Sequence, residues 1–372
     1  MPKDEQRIAG AGGRVLSIDA LRGFDMFWII GGGATLDKLA RVHSNPVTIW
    51  LEHQLEHVAW EGFHFEDLIY PLFLFIVGVV MPFSFSRRLE KGQSRGGLLV
   101  HIFKRSAIII LLGLIYNGLM DFDWQQMRWP GVLQRIGLCY LLAALIFVHT
   151  RWRTQAITIG AILLAYWAAL MLVPVPGHGA GVIEPEGCLA GYIDRTLIPG
   201  TFCCYEYGDN EGIISTFPAV CTVLLGALAG QWLRSSRTGN RKAAGLALAG
   251  VASLAVGWVW GLVFPIIKVI WTSSYTLFSA GWCLLLLAAF YWVIDVKGYK
   301  RWTFFFVVIG LNPITIYFTQ QFVSFGGISR FFLSGVAKNA GALSPLVVPF
   351  GALMASWLFL WFLHRHKIFF KI

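Results

Sequence analysis

The stretch HVAWEGFHFEDLIYPLFLFIVG (57–78) gathers His57, Glu61, His64, Glu66 and Asp67 within eleven positions, with Trp60 and Phe63 between them. A histidine beside carboxylates can be held in one tautomer and made more basic, which suits general-base or nucleophilic work. The same segment also reads as an interfacial loop whose aromatics join a membrane belt. His53, His57 and His64 do not follow a recognised metal-ligand spacing, and no metal is expected.

Other polar residues stand in otherwise apolar runs, where ionisable groups are costly and are functional candidates by default. IDALRGFDM (18–26) places Asp19, Arg22 and Asp25 three residues apart, so all three can share one helical face. Buried charges usually exist paired, and this trio reads first as a structural network tying its helix to neighbours. RWPGVLQRIG (128–137) carries Gln134 and Arg135 into a helix, and Arg135 needs a carboxylate or an anionic ligand there. Asn117 ends one apolar run, and Asn312 precedes Pro313 in GLNPITIY (310–317), where a kink is the simplest reading. A basic group, Arg87, Arg88, Lys91, Arg95, Lys104 and Arg105, and the terminal HRHKIFFKI (364–372) suit anionic lipid. A phosphate-bearing ligand is the sharper reading of those residues. Neither a P-loop nor a Rossmann glycine pattern is present in the sequence, which argues against ATP hydrolysis and nicotinamide chemistry.

The elements that must position these residues follow from composition. The chain has 372 residues, 56% of them hydrophobic and only 13% charged, with 16 Trp and 29 Phe. Mean hydropathy is +0.64. Disordered chains need low hydrophobicity, and soluble domains carry roughly twice this charge. The net charge of +10 does not indicate nucleic acid, because the basic residues are dispersed among apolar runs. The pattern predicts an all-α polytopic membrane protein, with continuous apolar runs rather than the alternation of a β-barrel. About ten spans of roughly 20 apolar residues are expected, near 16–34, 67–86, 104–120, 131–149, 155–173, 213–233, 243–264, 276–294, 303–324 and 345–363. A cleavable leader is not evident, since the first apolar stretch carries three charges.

With ten spans, 21 of the 30 basic residues fall on the side of the two termini and seven on the other, with Arg22 and Arg135 inside spans. Fourteen of the 20 acidic residues lie opposite the termini. Cytoplasmic loops carry the Lys/Arg excess, so both termini are expected in the cytoplasm. Two long outer segments, about 34–66 and 174–212, are expected to cap a single transmembrane domain covering the whole chain. Cys139, Cys221 and Cys283 read as packing residues, while Cys188, Cys203 and Cys204 share an outer loop that permits one disulfide of undetermined pairing.

Taken in order, IDALRG (18–23), the His57 segment with FIVG, RWPGVLQR (128–135), PVPG (174–177), GYIDR (191–195), NEGI (210–213), WTSSY (271–275), VIDVKG (293–298), GLNPI (310–314) and HKIFFKI cover nearly the whole chain. With these motifs the chain resembles the heparan-α-glucosaminide N-acetyltransferases and their bacterial relatives, within a wider transmembrane acyltransferase superfamily. The resemblance implies an enzyme that takes acetyl from cytosolic acetyl-CoA and delivers it to an amino sugar or glycan beyond the membrane. The family's catalytic histidine falls on His57. An Asn linked to catalysis in the eukaryotic enzymes is replaced here by Ile29 and Ile30 before Gly31-Gly32-Gly33, so either Asn117 or Asn312 would fill its role or the acceptor differs. By the same resemblance, a bacterial inner-membrane member without the family's amino-terminal luminal domain is expected.

An amine attacking a thioester needs a base and a donor for the developing oxyanion. His57 suits the base or nucleophile, Asp67, Glu61 or Glu66 its orientation, and Arg135, Gln134 and Asn117 the oxyanion. The CoA phosphates would sit on Arg87, Arg88, Arg105, Lys367 and Lys371. Direct transfer in a ternary complex is favoured over a transient acetyl-histidine. A sugar or small-molecule transporter without chemistry is the alternative, though matching halves are not evident. Membrane lipids are expected partners, and exposed apolar helix faces suit a homodimer.

Overall fold

The computed structural model describes residues 15–42 and 45–369. The described residues are mostly helical, at 73%. Among the described residues, eight helices are long and apolar enough to cross a membrane, or nine if one bent pair counts as a single span. The contacts divide the described residues into two compact units.

One unit comprises residues 57–236 and Leu248–Leu284. It contains α4 (Glu66–Glu90), α5 (Arg95–Tyr116), α6 (Val132–His149), α7 (Trp152–Leu172), α8 (Leu189–Leu197) and α9 (Thr216–Leu233). The short hairpin β1 (Cys204–Tyr205) and β2 (Gly208–Asp209) lies between α8 and α9. Helices α4 and α9 pack at backbone distance, because a Cβ on Gly226 would overlap the Phe75 carbonyl and one on Gly78 the Val223 carbonyl. Without a hydrophobic force between helices in lipid, such small-residue contacts supply the packing. α5 and α6 are joined by Ser106 Oγ donating to the Gly137 carbonyl at 2.8 Å.

The other unit comprises residues 15–56, Arg237–Ala247 and 285–369. Its elements include α1 (Leu16–Phe27), α2 (Gly33–Val42), α3 (Pro46–Gln54) and, after α10 (Gly239–Gly261) and α11 (Ser273–Phe290), the helices α12 (Thr303–Gly310), α13 (Pro313–Phe322), α14 (Phe325–Asn339) and α15 (Ser344–Arg365). α10 and α11 each run through both units. The N-terminus of α1 has no cap of its own, and Asp295 supplies one by accepting from the backbone N–H of Ser17 (3.0 Å) and Leu16 (3.3 Å). A carboxylate there satisfies orphan donors and complements the helix dipole.

The expected span at 16–34 is not one regular helix. A π-helical turn, Trp28–Gly32, follows α1, and Gly31 adopts φ 128°, which side-chain-bearing residues rarely tolerate. The expected span at 303–324 is α12 plus α13, bent by 69° at Asn312-Pro313. Pro313 lacks the N–H that would continue the ladder, so a kink at this point has its usual cause. The segment 174–212 carries α8 and the hairpin, and 34–66 carries most of α2 and all of α3. Cys203 and Cys204 form a disulfide with each other, and Cys188 is a buried free thiol that accepts the Gly191 N–H at the start of α8.

Candidate active site

Two loops create the site's geometry. Residues 61 and 62 pair with residues 266 and 267 through an antiparallel bridge between Glu61 and Ile267, and Gly62 N–H donates to the Ile266 carbonyl at 2.9 Å. Gly62 has φ 128°, so this close approach calls for glycine. The second loop is braced from α11's first turn. Thr272 Oγ1 donates to the Pro265 carbonyl (2.9 Å) and accepts the Ile267 N–H (3.1 Å), and Ser274 Oγ also donates to Pro265 (3.0 Å). Tyr275 Oη reaches across to the Asp67 carbonyl at 2.8 Å.

This pairing assembles three side chains. His57 Nδ1 lies 3.0 Å from Asp67 Oδ1, and Lys268 Nζ lies 3.2 Å from the same oxygen and 3.1 Å from His57 Nδ1. Asp67 Oδ2 accepts the His64 N–H (3.0 Å) and the Val58 N–H (3.4 Å). The carboxylate is thus almost fully enclosed, with a side chain 1% exposed, whereas His57 is 59% exposed. With Nδ1–H directed at Asp67, Nε2 keeps its lone pair on the open side, the arrangement of a base oriented by a carboxylate. Burial lowers the Lys268 ammonium's pKa, while Asp67, Glu66 and Glu211 act in the opposite direction.

A second charged cluster closes the outer loop. Arg128 donates from Nε to Asp209 Oδ2 (2.7 Å) and from Nη2 to Asp209 Oδ1 (2.6 Å), and Nη2 also meets Glu211 Oε2. Burial alone would lower the Arg128 pKa, but these carboxylates raise it above its ordinary value. Burial would raise Asp209, yet Arg128 holds it below the usual range, while burial pushes Glu211 up. Asp194 accepts the N–H of Ile213 (2.9 Å) and of Asp209 (3.4 Å), and burial pushes it up to about 6 against those bonds.

The remaining expected site residues are distributed as follows. Arg135 is fully buried, with Nη2 on the Gly212 carbonyl (3.2 Å) and on Ser215 Oγ, and its guanidinium lies 5.3 Å from the centre of the Trp271 ring. Its Nε and Nη1 have no hydrogen-bond partner among the described residues. Asn117 Nδ2 donates to the Arg128 (2.9 Å) and Pro130 (2.6 Å) carbonyls, and Gln134 Nε2 to Trp129 (3.3 Å). The amide donors expected to face an oxyanion therefore hold the 128–130 loop instead. Glu61 contributes backbone pairing and Glu66 opens α4 beside Asp67. Arg87 and Arg88 occupy the last turn of α4, the end opposite Asp67, and Arg105 lies 4.7 Å from the Tyr140 ring centre. Arg88, Lys104 and Arg105 all act electrostatically on His101.

Asp19 pairs with Arg22 at 2.8 Å on α1, and Asp25 is buried on the same helix. Asn312 belongs to the same unit as these three and donates to the Ile368 carbonyl at 3.2 Å. Lys367 is exposed just beyond α15, and Lys371 lies outside the described residues. Among the described residues there is no cluster of three His, Cys, Asp or Glu arranged to hold a metal ion. Lys268 and Arg128 were not expected at a site. Lys268 carried one signal, as the only basic residue between Lys242 and Lys297.

Comparison with known proteins agrees with the motif resemblance. Residues 14–260 match the family model described as heparan-alpha-glucosaminide N-acetyltransferase, catalytic. The human heparan-alpha-glucosaminide N-acetyltransferase is 27% identical over 98% of this chain and 61% of its own length. The mouse protein of the same name is 28% identical over 70% of this chain and 48% of its own length. The chain therefore spans about half to three-fifths of these relatives. With a match over most of its length, this membrane protein belongs to the heparan-α-glucosaminide N-acetyltransferase family, whose named members are acetyltransferases.

Proposed function

We propose that this protein transfers acetyl from cytosolic acetyl-CoA to the amine of an amino sugar or glycan on the opposite side of the membrane, with His57 as general base. The carrying observation is the contact from Nδ1 of an exposed His57 to an enclosed Asp67, which leaves Nε2 outside that contact. In this reading the acceptor amine attacks the thioester carbonyl carbon and its proton passes to Nε2. A C–N bond forms, the C–S bond breaks, and the departing CoA thiolate takes the proton from Nε2. Asp67 orients the imidazole and stabilises its transient charge. Arg135, whose Nε and Nη1 lack protein partners among the described residues, supplies charge for the oxyanion.

The CoA phosphates are assigned to Arg87, Arg88 and Arg105. Two observations support this. Arg87 and Arg88 end the 25-residue helix that begins beside His57, and the basic excess falls on that side of the sequence-derived spans. Arg105 stands within α5, about 16 Å short of its far end at 1.5 Å per residue, which shortens the path for the pantetheine arm. The same charge bias supports cytoplasmic termini, and a bacterial member would lie in the inner membrane. A homodimer is proposed on the exposed apolar helix faces.

The test is labelled acetyl-CoA against a panel of amino sugars and glycans in reconstituted vesicles, with His57→Ala as control. Transfer that His57→Ala lowers by about 10³-fold is expected, with intersecting double-reciprocal plots for the ternary complex. Wild-type transfer by His57→Ala would remove the base assignment, and acetyl trapped on His57 at a competent rate without acceptor would replace direct transfer.

A further inference from the structure

We infer that Lys268 is a positioning residue for the reaction, completing a His57–Asp67–Lys268 triad in which its ammonium fixes the tautomer of His57 through Asp67. The inference rests on His57 acting as the base. Three contacts converge on one oxygen and one ring nitrogen: Nδ1 to Oδ1 at 3.0 Å, Nζ to Oδ1 at 3.2 Å, and Nζ to Nδ1 at 3.1 Å. A neutral imidazole nitrogen either donates or accepts, and an ammonium only donates.

Two arrangements are conceivable. If Lys268 donated into an Nδ1 lone pair, that lone pair would also face Asp67 Oδ1 at 3.0 Å, setting two acceptors against each other. If Nδ1–H donates to Oδ1, Lys268 donates to the same oxygen, which has two lone pairs, and the 3.1 Å approach of Nζ to Nδ1 follows from two donors sharing that one acceptor rather than from a hydrogen bond between them. The second arrangement leaves Nε2 as the acceptor on the open face. Asp67 Oδ2 is already taken by the His64 and Val58 N–H groups, so Oδ1 is where the tautomer is set. Lys268 lies on the Nδ1 side of the ring and works through Asp67 and His57.

The register of the 61–62 and 266–267 pairing holds Lys268 in place, and its side chain is 16% exposed. The charged groups acting on it are His57 from the 57–65 loop, Glu66 and Asp67 from α4, and Glu211 from the segment before α9. Burial lowers its pKa from the ordinary 10.5, against the raising effect of Asp67, Glu66 and Glu211, so its proton is lost below lysine's usual range.

The experiment measures kcat and KM against pH in the full-length reconstituted protein for wild type, Lys268→Arg, Lys268→Met and His57→Ala. An alkaline fall in wild-type kcat is expected, reporting loss of the Lys268 proton. Lys268→Arg should keep kcat within about tenfold of wild type and lose the fall, because guanidinium stays charged. Lys268→Met should lower kcat by about 10–100-fold, the scale of a lost orienting interaction, with KM changing less than about threefold and no alkaline limb. An alkaline limb unmoved in Lys268→Arg overturns the inference even if Lys268→Met fails to fold, as does a folded Lys268→Met with wild-type kcat and profile. His57→Ala separates the two readings: full activity there removes the base itself, whereas its inactivity beside unchanged Lys268 profiles removes only the triad.

Discussion

The molecule contains two small clusters built from the same kinds of charge. Each places one cation against carboxylates contributed from separate stretches of chain, yet they end in opposite states. At Arg128, the guanidinium fork meets both oxygens of Asp209 and also Glu211, and the carboxylates' other contacts include backbone N–H groups. Little capacity remains for a ligand, and the cluster fastens β2 to the loop before α6. At His57, the carboxylate is equally enclosed, but its partner is an exposed ring whose second nitrogen takes no part in that contact. A bidentate arginine fills its acceptors, whereas an imidazole has a second nitrogen left for chemistry. Charge density alone does not distinguish these roles; unspent hydrogen-bonding capacity on an open face does.

This contrast breaks most clearly through substitution on each side. His57→Ala should reduce acetyl transfer by about 10³-fold, within the range of general-base catalysis, while the midpoint of thermal unfolding stays near wild type. Arg128→Met should do the reverse in kind, lowering stability by about 3–5 kcal/mol because buried carboxylates lose their counter-charge. Equilibrium denaturation in detergent micelles would read this, and an Arg128→Met protein of normal stability would show the cluster to be solvated. Asp67→Asn should retain the fold and lose roughly 10²-fold in kcat, since an amide can also present its N–H to the ring and favour the wrong tautomer.

A smaller effect sharpens the comparison at the closed cluster. Asp194 is raised from 3.8 to about 6 by burial, so its folded form holds a proton over a range where the unfolded chain has lost it. Its contribution is present in full below about 3.8 and is lost as pH rises through about 6. Asp209, depressed by Arg128, has the opposite sign, with stability present above its ordinary value and lost on acidification. The unfolding free energy of wild type minus that of Asp194→Asn, measured from pH 4 to 7, should therefore fall by about 2 kcal/mol. A flat difference would mean that Asp194 titrates normally.

Several features were legible in the residues because they are local. Continuous apolar runs predict helices, and most of the expected spans coincide with one, while Asn312-Pro313 announced its bend through the missing N–H of Pro313. His57 and Asp67 stand ten positions apart, and a short loop returns one to the other. Asn117 and Gln134 show where such reading ends. Their residue types allow donation to an oxyanion, but the fold spends those donors on the carbonyls of Arg128, Pro130 and Trp129. The π-turn at Trp28–Gly32 was hidden for a related reason, since an apolar run containing three glycines suits either a straight or a broken helix.

The sequence by itself determined the helical membrane character, the uneven distribution of charge and the presence of a histidine–carboxylate pair, because these depend on composition and short spacings. Only the tertiary structure decided that Lys268, 211 residues from His57, joins that pair. Its position depends on backbone hydrogen bonds between two distant loops, on the unusual φ of Gly62 and on the hydroxyl braces of Thr272 and Ser274. No short-range periodicity encodes such a meeting, because backbone pairing between distant segments is set by the packed fold that brings them together.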